Sequence, residues 1–235
     1  MEKKVPFAKY NGRMVAPEEV EKHCTGLTCP DCGLPLMVRK GDKRIHHFAH
    51  LNGGGGASCG ETALHLMAKQ IVAESKYIVV PGSVVVFQDG RRATIPPQLL
   101  RIVEAKEEYR IRDIIPDIFL VCEKGYLAVE IFVNHKVDEE KKAKLNSMRI
   151  NALEIDLSHQ LGISKEALTK LLLEGTQFKS WLSLFVTVNL PPQQRIPVPR
   201  RHPYTHQIDL DNLQPYSRKN YSNKKRTYYK KRKQR

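Results

Sequence analysis

The sequence contains no apolar run that approaches the roughly 20 residues of a membrane-spanning helix. Its charged start, MEKKVPFAKYNG, also lacks the apolar core of a secretory signal peptide. These absences argue against a membrane partner and against export, so a cytoplasmic protein is expected. The cysteines do not indicate disulfides either. Three of the five cluster beside histidines, a pattern that indicates a metal site.

Acidic residues are scarce at the C-terminal end. The chain has a net charge of +14, but residues 191–235 hold 13 Lys or Arg against two Asp, which leaves residues 1–190 at only +3. This polar, basic tail is predicted to be disordered and to bind a polyanion. Four interleaved tyrosines are candidates for stacking on unpaired bases: Tyr216, Tyr221, Tyr228 and Tyr229. A tail that only adds solubility is the alternative.

A CPDCG segment has the spacing of a zinc knuckle, in which two thiolates hold one tetrahedral ion. A small hairpin, 36–39 and 44–48, is expected to bring histidines back to it. The preferred zinc ligands are Cys29, Cys32, His50 and Cys59. His47 is the main rival for a place and Cys24 a weaker one. Four such ligands would close the site and make it structural; free cysteines and surface histidines are the alternative.

The next segment, GETALHLMAKQIVAES, predicts an amphipathic helix. Its apolar face is expected to contain Leu64, Met67, Ala68, Ile71 and Val72. Glu61, His65 and Lys69 follow at i, i+4 and i+8, and therefore form one polar stripe along an edge of that face. By itself such a stripe is most often a solvated face with mild ion-pair support.

Strand patterns dominate the middle of the chain, with a charged helix expected at 137–149. The predicted strands are 77–80, 83–87, 100–111, the two arms of a hairpin within 112–136, and 151–157. A right-handed crossover would make the last strand parallel to 128–133. Ser164 is a good N-cap for a helix over Lys165–Leu173, and 179–188 would end the folded body.

The hairpin within 112–136 is the centre of the predicted sheet. A tight turn at Lys124-Gly125 would place Phe119 opposite Glu130, with Asp117 and Glu130 as diagonal neighbours on one face. Burying two carboxylates on a covered face costs free energy unless a cation pairs with them. A hard divalent ion such as magnesium suits these oxygen ligands. An ion pair with Lys or Arg is the alternative.

The order of these motifs resembles the competence protein CoiA-like family, which is similar to nucleases of the PD-(D/E)XK, restriction-endonuclease-like superfamily. The matching elements run from residue 29 to 181: CPxC, HFAH, a helix ExxxHxxxK, PD, ExxxxH and EIDLS. The resemblance implies a restriction-endonuclease-like α/β/α core with a small N-terminal zinc-finger-like module. The expected domains are an N-terminal segment (1–23), a zinc-binding module (24–60), a nuclease-like core (61–190) and the tail (191–235).

The resemblance also implies a catalytic set: Glu61, His65, Lys69, Asp117, Glu130, His135 and Lys141. Asp117 and Glu130 match the superfamily's PD and E, and Glu61 matches the acid of its first helix. These three would hold Mg²⁺ or Mn²⁺. The superfamily's lysine, two residues after the glutamate, is replaced by Phe132. His135, Lys136, Lys141 or Lys69 would have to supply that role.

The expected function is metal-dependent cleavage of phosphodiester bonds in single- or double-stranded DNA. Phe132 favours an alternative, a catalytically degenerate nuclease fold that binds DNA in uptake, recombination or phage DNA handling. A third reading is an adaptor whose zinc module docks a protein partner.

Overall fold

The computed structural model describes residues 4–42, 44–86, 90–134 and 136–185. The tail, with its predicted disorder and its tyrosines, lies outside these residues, as do His135 and the end of the expected strand 179–188. The described part of the chain falls within one compact unit. Its helices are α1 (Cys59–Glu74), α2 (Glu139–Ser147) and α3 (Lys165–Leu173). None of these helices is long and apolar enough to cross a membrane.

A six-stranded sheet in the order β12-β11-β10-β9-β8-β5 forms the body of this unit, and three two-stranded sheets accompany it. The strands are β1 (Ala8–Tyr10), β2 (Arg13–Val15), β3 (Leu36–Gly41), β4 (Arg44–His50), β5 (Tyr77–Val80), β6 (Ser83–Val86), β7 (Arg92–Ile95), β8 (Gln98–Glu107), β9 (Ile118–Cys122), β10 (Gly125–Phe132), β11 (Ala152–Asp156) and β12 (Lys179–Ser183). The expected mixed α/β class is confirmed. The hairpin of β6 and β7 was only half anticipated, because a strand was predicted over β6 and none over β7.

The central hairpin, β9–β10, forms with a register two residues away from the predicted one. Phe119 pairs with Ala128, and Gly125 pairs with Cys122, so the turn consists of Glu123 and Lys124. The prediction of a Lys124-Gly125 turn was wrong, because Gly125 uses its positive φ of 134° as the first strand residue. A shift of two residues keeps every side chain on its predicted face.

Continued by one residue, the observed register brings Asp117 directly opposite Glu130. The backbone N–H of Ile131 donates a 2.8 Å hydrogen bond to Asp117 Oδ2, which fixes this carboxylate at the start of β9. The two acids therefore share a face, as predicted, but as opposite neighbours rather than diagonal ones.

Strands β10 and β11 are parallel, which confirms the predicted parallel pairing, and α2 lies in the connection between them. Asp138 caps α2 by accepting a 2.7 Å hydrogen bond from the backbone N–H of Lys141. Pairing of Glu130 with Glu154 places two glutamates side by side in the middle of the sheet. Because parallel strands end at the same edge, loops from both strands meet beside these acids.

Helices cover both faces of the sheet. The predicted apolar face of α1 is buried and packs with α3 against one face, together with Ile118, Leu120 and Val129. On the other face, Leu145 of α2 packs against Ala128 and Ala152. The cap by Ser164 at the start of α3 is confirmed by a 3.2 Å hydrogen bond from the Ala167 N–H. Helix α1 is therefore held along the sheet by its buried apolar face.

The N-terminal segment, whose polar sequence predicts only a short helix over 17–23, is folded against α1. Phe7 and Met14 are buried in the main core, and the backbone N–H of Met14 donates to Gln70 of α1 at 2.7 Å. The expected helix is only a 3₁₀ turn, Pro17–Glu19. The short strands β1 and β2 are stabilised by this docking, which no local pattern in the segment reveals.

Candidate functional site

Three cysteines and one histidine meet at one point beside the start of α1. The Sγ atoms of Cys29, Cys32 and Cys59 and a ring nitrogen of His50 all lie within 4.8 Å of one another. The Cys32 Sγ is 3.3 Å from Nε2 of His50 and 3.9 Å from the Cys59 Sγ. Three soft thiolates and one imidazole are a typical tetrahedral zinc set, so this cluster can bind such a metal.

Local backbone geometry builds the cluster. The Gly33 N–H donates to the Cys29 carbonyl at 2.9 Å, and the Cys29 N–H donates to the Leu34 carbonyl at 2.8 Å. Gly33 has a φ of +72°, a value that suits glycine in this tight knuckle. Strand β4 then delivers His50, and Cys59 enters as the first residue of α1.

The Gly-rich loop after β4 lies unusually close to the His50 ring. A Cβ added at Gly55, where φ is +84°, would come within 2.3 Å of Cε1 and 2.8 Å of Nε2 of His50. Only a glycine can therefore occupy position 55 while the imidazole keeps its place in the cluster.

The four clustered residues are those preferred from the sequence, and both rivals lie elsewhere. The His47 Nδ1 is 2.9 Å from the Ile45 carbonyl, and the Cys24 thiol is turned to the Thr25 carbonyl at 3.6 Å. Burial raises the pKa of Cys59 to about 12, an effect reinforced by its contacts with Cys29 and Asp31. A divalent cation at the centre would offset this cost by favouring the thiolate.

Asp31, within the CPDC motif, connects the cluster to the first turn of α1. Its carboxylate accepts hydrogen bonds from the Ser58 hydroxyl at 2.8 Å and the Thr62 hydroxyl at 2.9 Å, and it also contacts the Cys59 thiol. These hydrogen bonds lower the pKa of Asp31. The knuckle therefore holds the helix end that carries Glu61.

A second site is an open cavity of about 470 Å³ between α1, the end of β10 and the start of α2. Five of the predicted catalytic residues line it: Glu61, His65, Asp117, Glu130 and Lys141. Ser58 and Thr62 also line it, so the residues held by Asp31 belong to its wall. The fold thus brings together acids from α1, from the residue just before β9 and from β10.

Glu130 is the most deeply buried acid of this cavity, with only 5% of its surface exposed. The Lys141 ammonium lies 2.7 Å from both of its oxygens, but the geometry gives a hydrogen bond to Oε2 alone. Oε1 is fully buried without a hydrogen-bond partner. Burial raises the pKa of Glu130 to about 7, with Asp117 and Glu154 adding to the rise and Lys141 opposing it.

Asp117 has a different electrostatic environment. Burial disfavours its charge, but a 3.2 Å contact with Nε2 of His65 and the hydrogen bond from the Ile131 N–H outweigh that effect and lower its pKa. The charge of Lys69 acts in the same direction. Asp117 is therefore ionised at neutral pH, beside a glutamate that is only partly so.

The stripe on α1 is less solvated than such stripes usually are. Glu61 accepts a hydrogen bond from the Asn134 side chain, at the end of β10. Lys69 is only 2% exposed, and its ammonium lies 2.8 Å from Glu108 rather than in the cavity wall. Of the four groups proposed to replace the superfamily lysine, Lys141 and Lys136 line the cavity, and His135 lies outside the described residues. The ammonium of Lys136 rests 5.3 Å from the centre of the Phe132 ring.

Sequence reasoning missed Glu154 and Asn134. Glu154 is buried beside Glu130, and its Oε2 accepts a 3.3 Å hydrogen bond from the Val137 N–H. The predicted parallel pairing of 151–157 with 128–133 contained this information, because it allows the two glutamates to become neighbours. Nothing local marked Asn134.

Comparison with protein families finds a match to the N-terminal domain of the competence protein CoiA over residues 17–59. The matched segment is less than a fifth of the chain, yet it contains all four clustered ligands, and it supports a CoiA-like family for this protein. Comparisons with curated proteins and with solved structures give no match.

Proposed function

We propose that this protein is a metal-dependent nuclease that hydrolyses phosphodiester bonds in DNA. The observation that carries the proposal is the convergence of Glu61, Asp117 and Glu130 on one cavity, where the buried Glu130 lies directly opposite the ionised Asp117. These two carboxylates repel each other, and a divalent cation would offset that repulsion more completely than the single ammonium of Lys141 does. Competence-related DNA processing, which the CoiA-type domain suggests, agrees with such a chemistry.

The donor chemistry suits magnesium or manganese. Glu61, Asp117 and Glu130 offer hard carboxylate oxygens around one open cavity, which leaves room for a phosphate and for water. Among the described residues only the Cys/His cluster has its ligand atoms within 4.8 Å of one another, so the three carboxylates would have to close around the ion as it binds. A bound Mg²⁺ would polarise the phosphoryl oxygen and lower the pKa of an attacking water. The raised pKa of Glu130 means that its proton has to leave before the ion can bind.

The chain's own cations supply the remaining roles. His65, held by Asp117 at 3.2 Å, is positioned to orient a water or accept its proton. Lys141 takes the place that Phe132 leaves vacant, because its ammonium already reaches the glutamate of the motif from α2. Lys136 lines the same cavity and can meet charge that develops on the phosphate. Lys69 does not line the cavity, but its positive charge helps to lower the pKa of Asp117.

A catalytically degenerate DNA-binding protein is the second candidate, and the Glu130–Lys141 pair favours it. An ammonium 2.7 Å from both glutamate oxygens already neutralises much of the charge that would attract a metal. In this alternative the cavity binds phosphate but does not cleave it. The basic tail at 191–235 would supply sequence-independent affinity in both cases.

Cleavage assays on the purified full-length protein test the proposal. Single- and double-stranded DNA are incubated with Mg²⁺, Mn²⁺ or EDTA, using wild type, Asp117→Asn and the control Asp113→Asn. Asp113 is exposed, so its variant removes the same charge without touching the cavity. The proposal expects cleavage that needs the metal, is lost with Asp117→Asn and survives Asp113→Asn. DNA binding without cleavage under every condition would favour the degenerate fold, and no binding at low salt would favour an adaptor.

A further inference from the structure

Three aromatic rings form a row: Tyr109 just after β8, Phe119 on β9 and Tyr126 on β10. The ring centroids of Tyr109 and Phe119 are 5.8 Å apart with planes inclined by 23°, and those of Phe119 and Tyr126 are 5.6 Å apart at 16°. The rings are thus nearly parallel and offset. The two ends of this aromatic row are open to solvent, with Tyr109 46% and Tyr126 61% exposed.

The aromatic row lies on the half of the sheet face that helix α2 leaves uncovered. Leu145 of α2 packs over Ala128 and Ala152, on the β10–β11 side. Phe119, on β9, pairs with Ala128 on one side and Lys106 on the other, so its ring stands beyond the edge of that contact. Exposed rings do not serve the core, and a contiguous exposed aromatic surface is typical of a binding site.

The aromatic row lies on the same sheet face as two acids that line the cavity. Phe119 and Tyr126 share a sheet face with Asp117 and Glu130, and Phe119 is two residues from Asp117 along the strand direction. The four residues from Tyr126 to Glu130 span about 13 Å at ~3.3 Å per residue. That distance corresponds to a few nucleotides of one strand, at ~3.4 Å or more for each.

Cationic side chains accompany the rings. The Lys106 ammonium lies 5.0 Å from the centre of the Tyr109 ring and is also paired with Glu104 at 3.3 Å. Arg110, next to Tyr109, and Lys124, two residues before Tyr126, are exposed. Aromatic faces interleaved with cations are the arrangement that binds stacked bases and phosphates of single strands.

We infer that the aromatic row binds unpaired bases, so that the substrate of the proposed nuclease carries a single-stranded segment leading to the cavity. This inference takes the reaction from the proposed function, but the binding of single strands stands on the rings themselves. Duplex DNA keeps its bases stacked inside and offers the row only phosphates. The structure thus assigns a preference for single strands to this face of the sheet.

Binding measurements in EDTA, without cleavage, test the assignment. Fluorescence anisotropy of the full-length protein is measured with a labelled single-stranded oligonucleotide of mixed sequence and with the matching duplex. Tyr126→Ala and Tyr109→Ala should each weaken single-strand binding by roughly 5- to 100-fold and leave duplex binding nearly unchanged. The slope of log affinity against log salt should not change, because stacking releases no counterions.

Two controls separate stacking from a general loss of surface. Tyr126→Phe keeps the ring and should bind as wild type does. Val84→Ala trims a similarly exposed side chain on a separate two-stranded sheet and should have no effect. Equal losses on single strands and duplex, or no loss with either alanine variant, would overturn the inference. If the alanine variants lose only single-strand affinity but the protein never cleaves DNA, the aromatic row is supported and the nuclease is refuted. If the protein cleaves DNA but the variants show no selective loss of single-strand affinity, the nuclease is supported and the inference about the aromatic row is refuted.

Discussion

Lys141 and Glu130 form a salt bridge in which the ammonium of α2 lies 2.7 Å from a carboxylate buried in β10, and one carboxylate oxygen still lacks a hydrogen bond. The ammonium donates a hydrogen bond to Oε2 and lies equally close to Oε1, without hydrogen-bond geometry to that atom. The proposed metal site therefore requires Lys141 to share Glu130 with the ion or to give it up.

The pH dependence of stability should reveal the raised pKa of Glu130. A carboxyl whose pKa is about 7 when folded and about 4.5 when unfolded stabilises the protein fully at low pH, and this contribution is lost as pH rises from about 4.5 through 7. The total is on the order of 3 kcal/mol. Glu130→Gln, which stays neutral, should match wild type at pH 5 and unfold at higher temperature at pH 8.

Thermal unfolding of both proteins across this pH range checks the prediction, with their difference cancelling the other titrating groups. If Glu130→Gln is instead much less stable than wild type at pH 8, the carboxylate is ionised and held by Lys141 as a net stabilising pair. That result would remove the free-energy argument for a metal cation at Glu130.

Magnesium should stabilise the folded protein through the cavity. At a free concentration of ten times the dissociation constant, a bound ion adds about 1.4 kcal/mol. The increase in melting temperature should be larger at pH 8 than at pH 6, because Glu130 has to lose its proton first. Asp117→Asn and Glu130→Gln should abolish the increase, and Asp113→Asn should keep it. An increase that survives Asp117→Asn would place the ion elsewhere.

Zinc content should depend on the four clustered residues. Cys32→Ser should release the metal and destabilise the knuckle by several kcal/mol, because binding energy at such sites is folding energy. Cys24→Ser is the matched control, since Cys24 lies outside the cluster. Elemental analysis of protein purified under reducing conditions, combined with thermal unfolding, measures both effects. Wild type without stoichiometric zinc would contradict the assignment.

A pair of glycines isolates the contact with His50. Gly53 and Gly55 both have positive φ values, +74° and +84°, so an alanine at either position carries backbone strain. A Cβ at Gly53 meets nothing within 4 Å, whereas one at Gly55 overlaps the His50 ring. Gly55→Ala should therefore lower zinc affinity far more than Gly53→Ala in a competition with a chromophoric chelator. Equal effects would mean that strain alone is responsible.

The sequence carried enough local information to predict the sheet centre but not its contacts. Alternating apolar residues and the Ser164 cap predicted β10, β11 and α3, since these signals lie within each element. The N-terminal strands were missed because their burial depends on α1, some 50 residues away. The turn of the central hairpin was misplaced because glycine can take several positions in or beside a turn. A register shifted by two residues also keeps every side chain on the same face, so the apolar pattern does not distinguish the two registers.

The candidate sites show the same division. Cysteine spacing sufficed to predict the Cys/His cluster, as a CxxC knuckle with a returning histidine restricts the geometry strongly. The resemblance predicted that Glu61, Asp117 and Glu130 belong to one site, and the fold places them around one cavity. Which lysine reaches Glu130 depended on the path of α2 across the sheet, and no spacing encodes that path. Lys69, chosen for its spacing, is instead buried against Glu108.

Cys59 and Glu61 stand two residues apart on the first turn of α1, so one helix end belongs to both the thiol cluster and the carboxylate cavity. The N-terminal part is consequently not a detachable accessory. A chain shortened to begin at Glu61 would lose the anchor of that helix end, together with Phe7 and Met14 from the shared core. Oxidation of the thiols would disturb the acid on α1 without touching it. The Cys/His cluster and the carboxylate cavity are thus mechanically linked through one helix end, so damage to the cluster would be transmitted to the cavity.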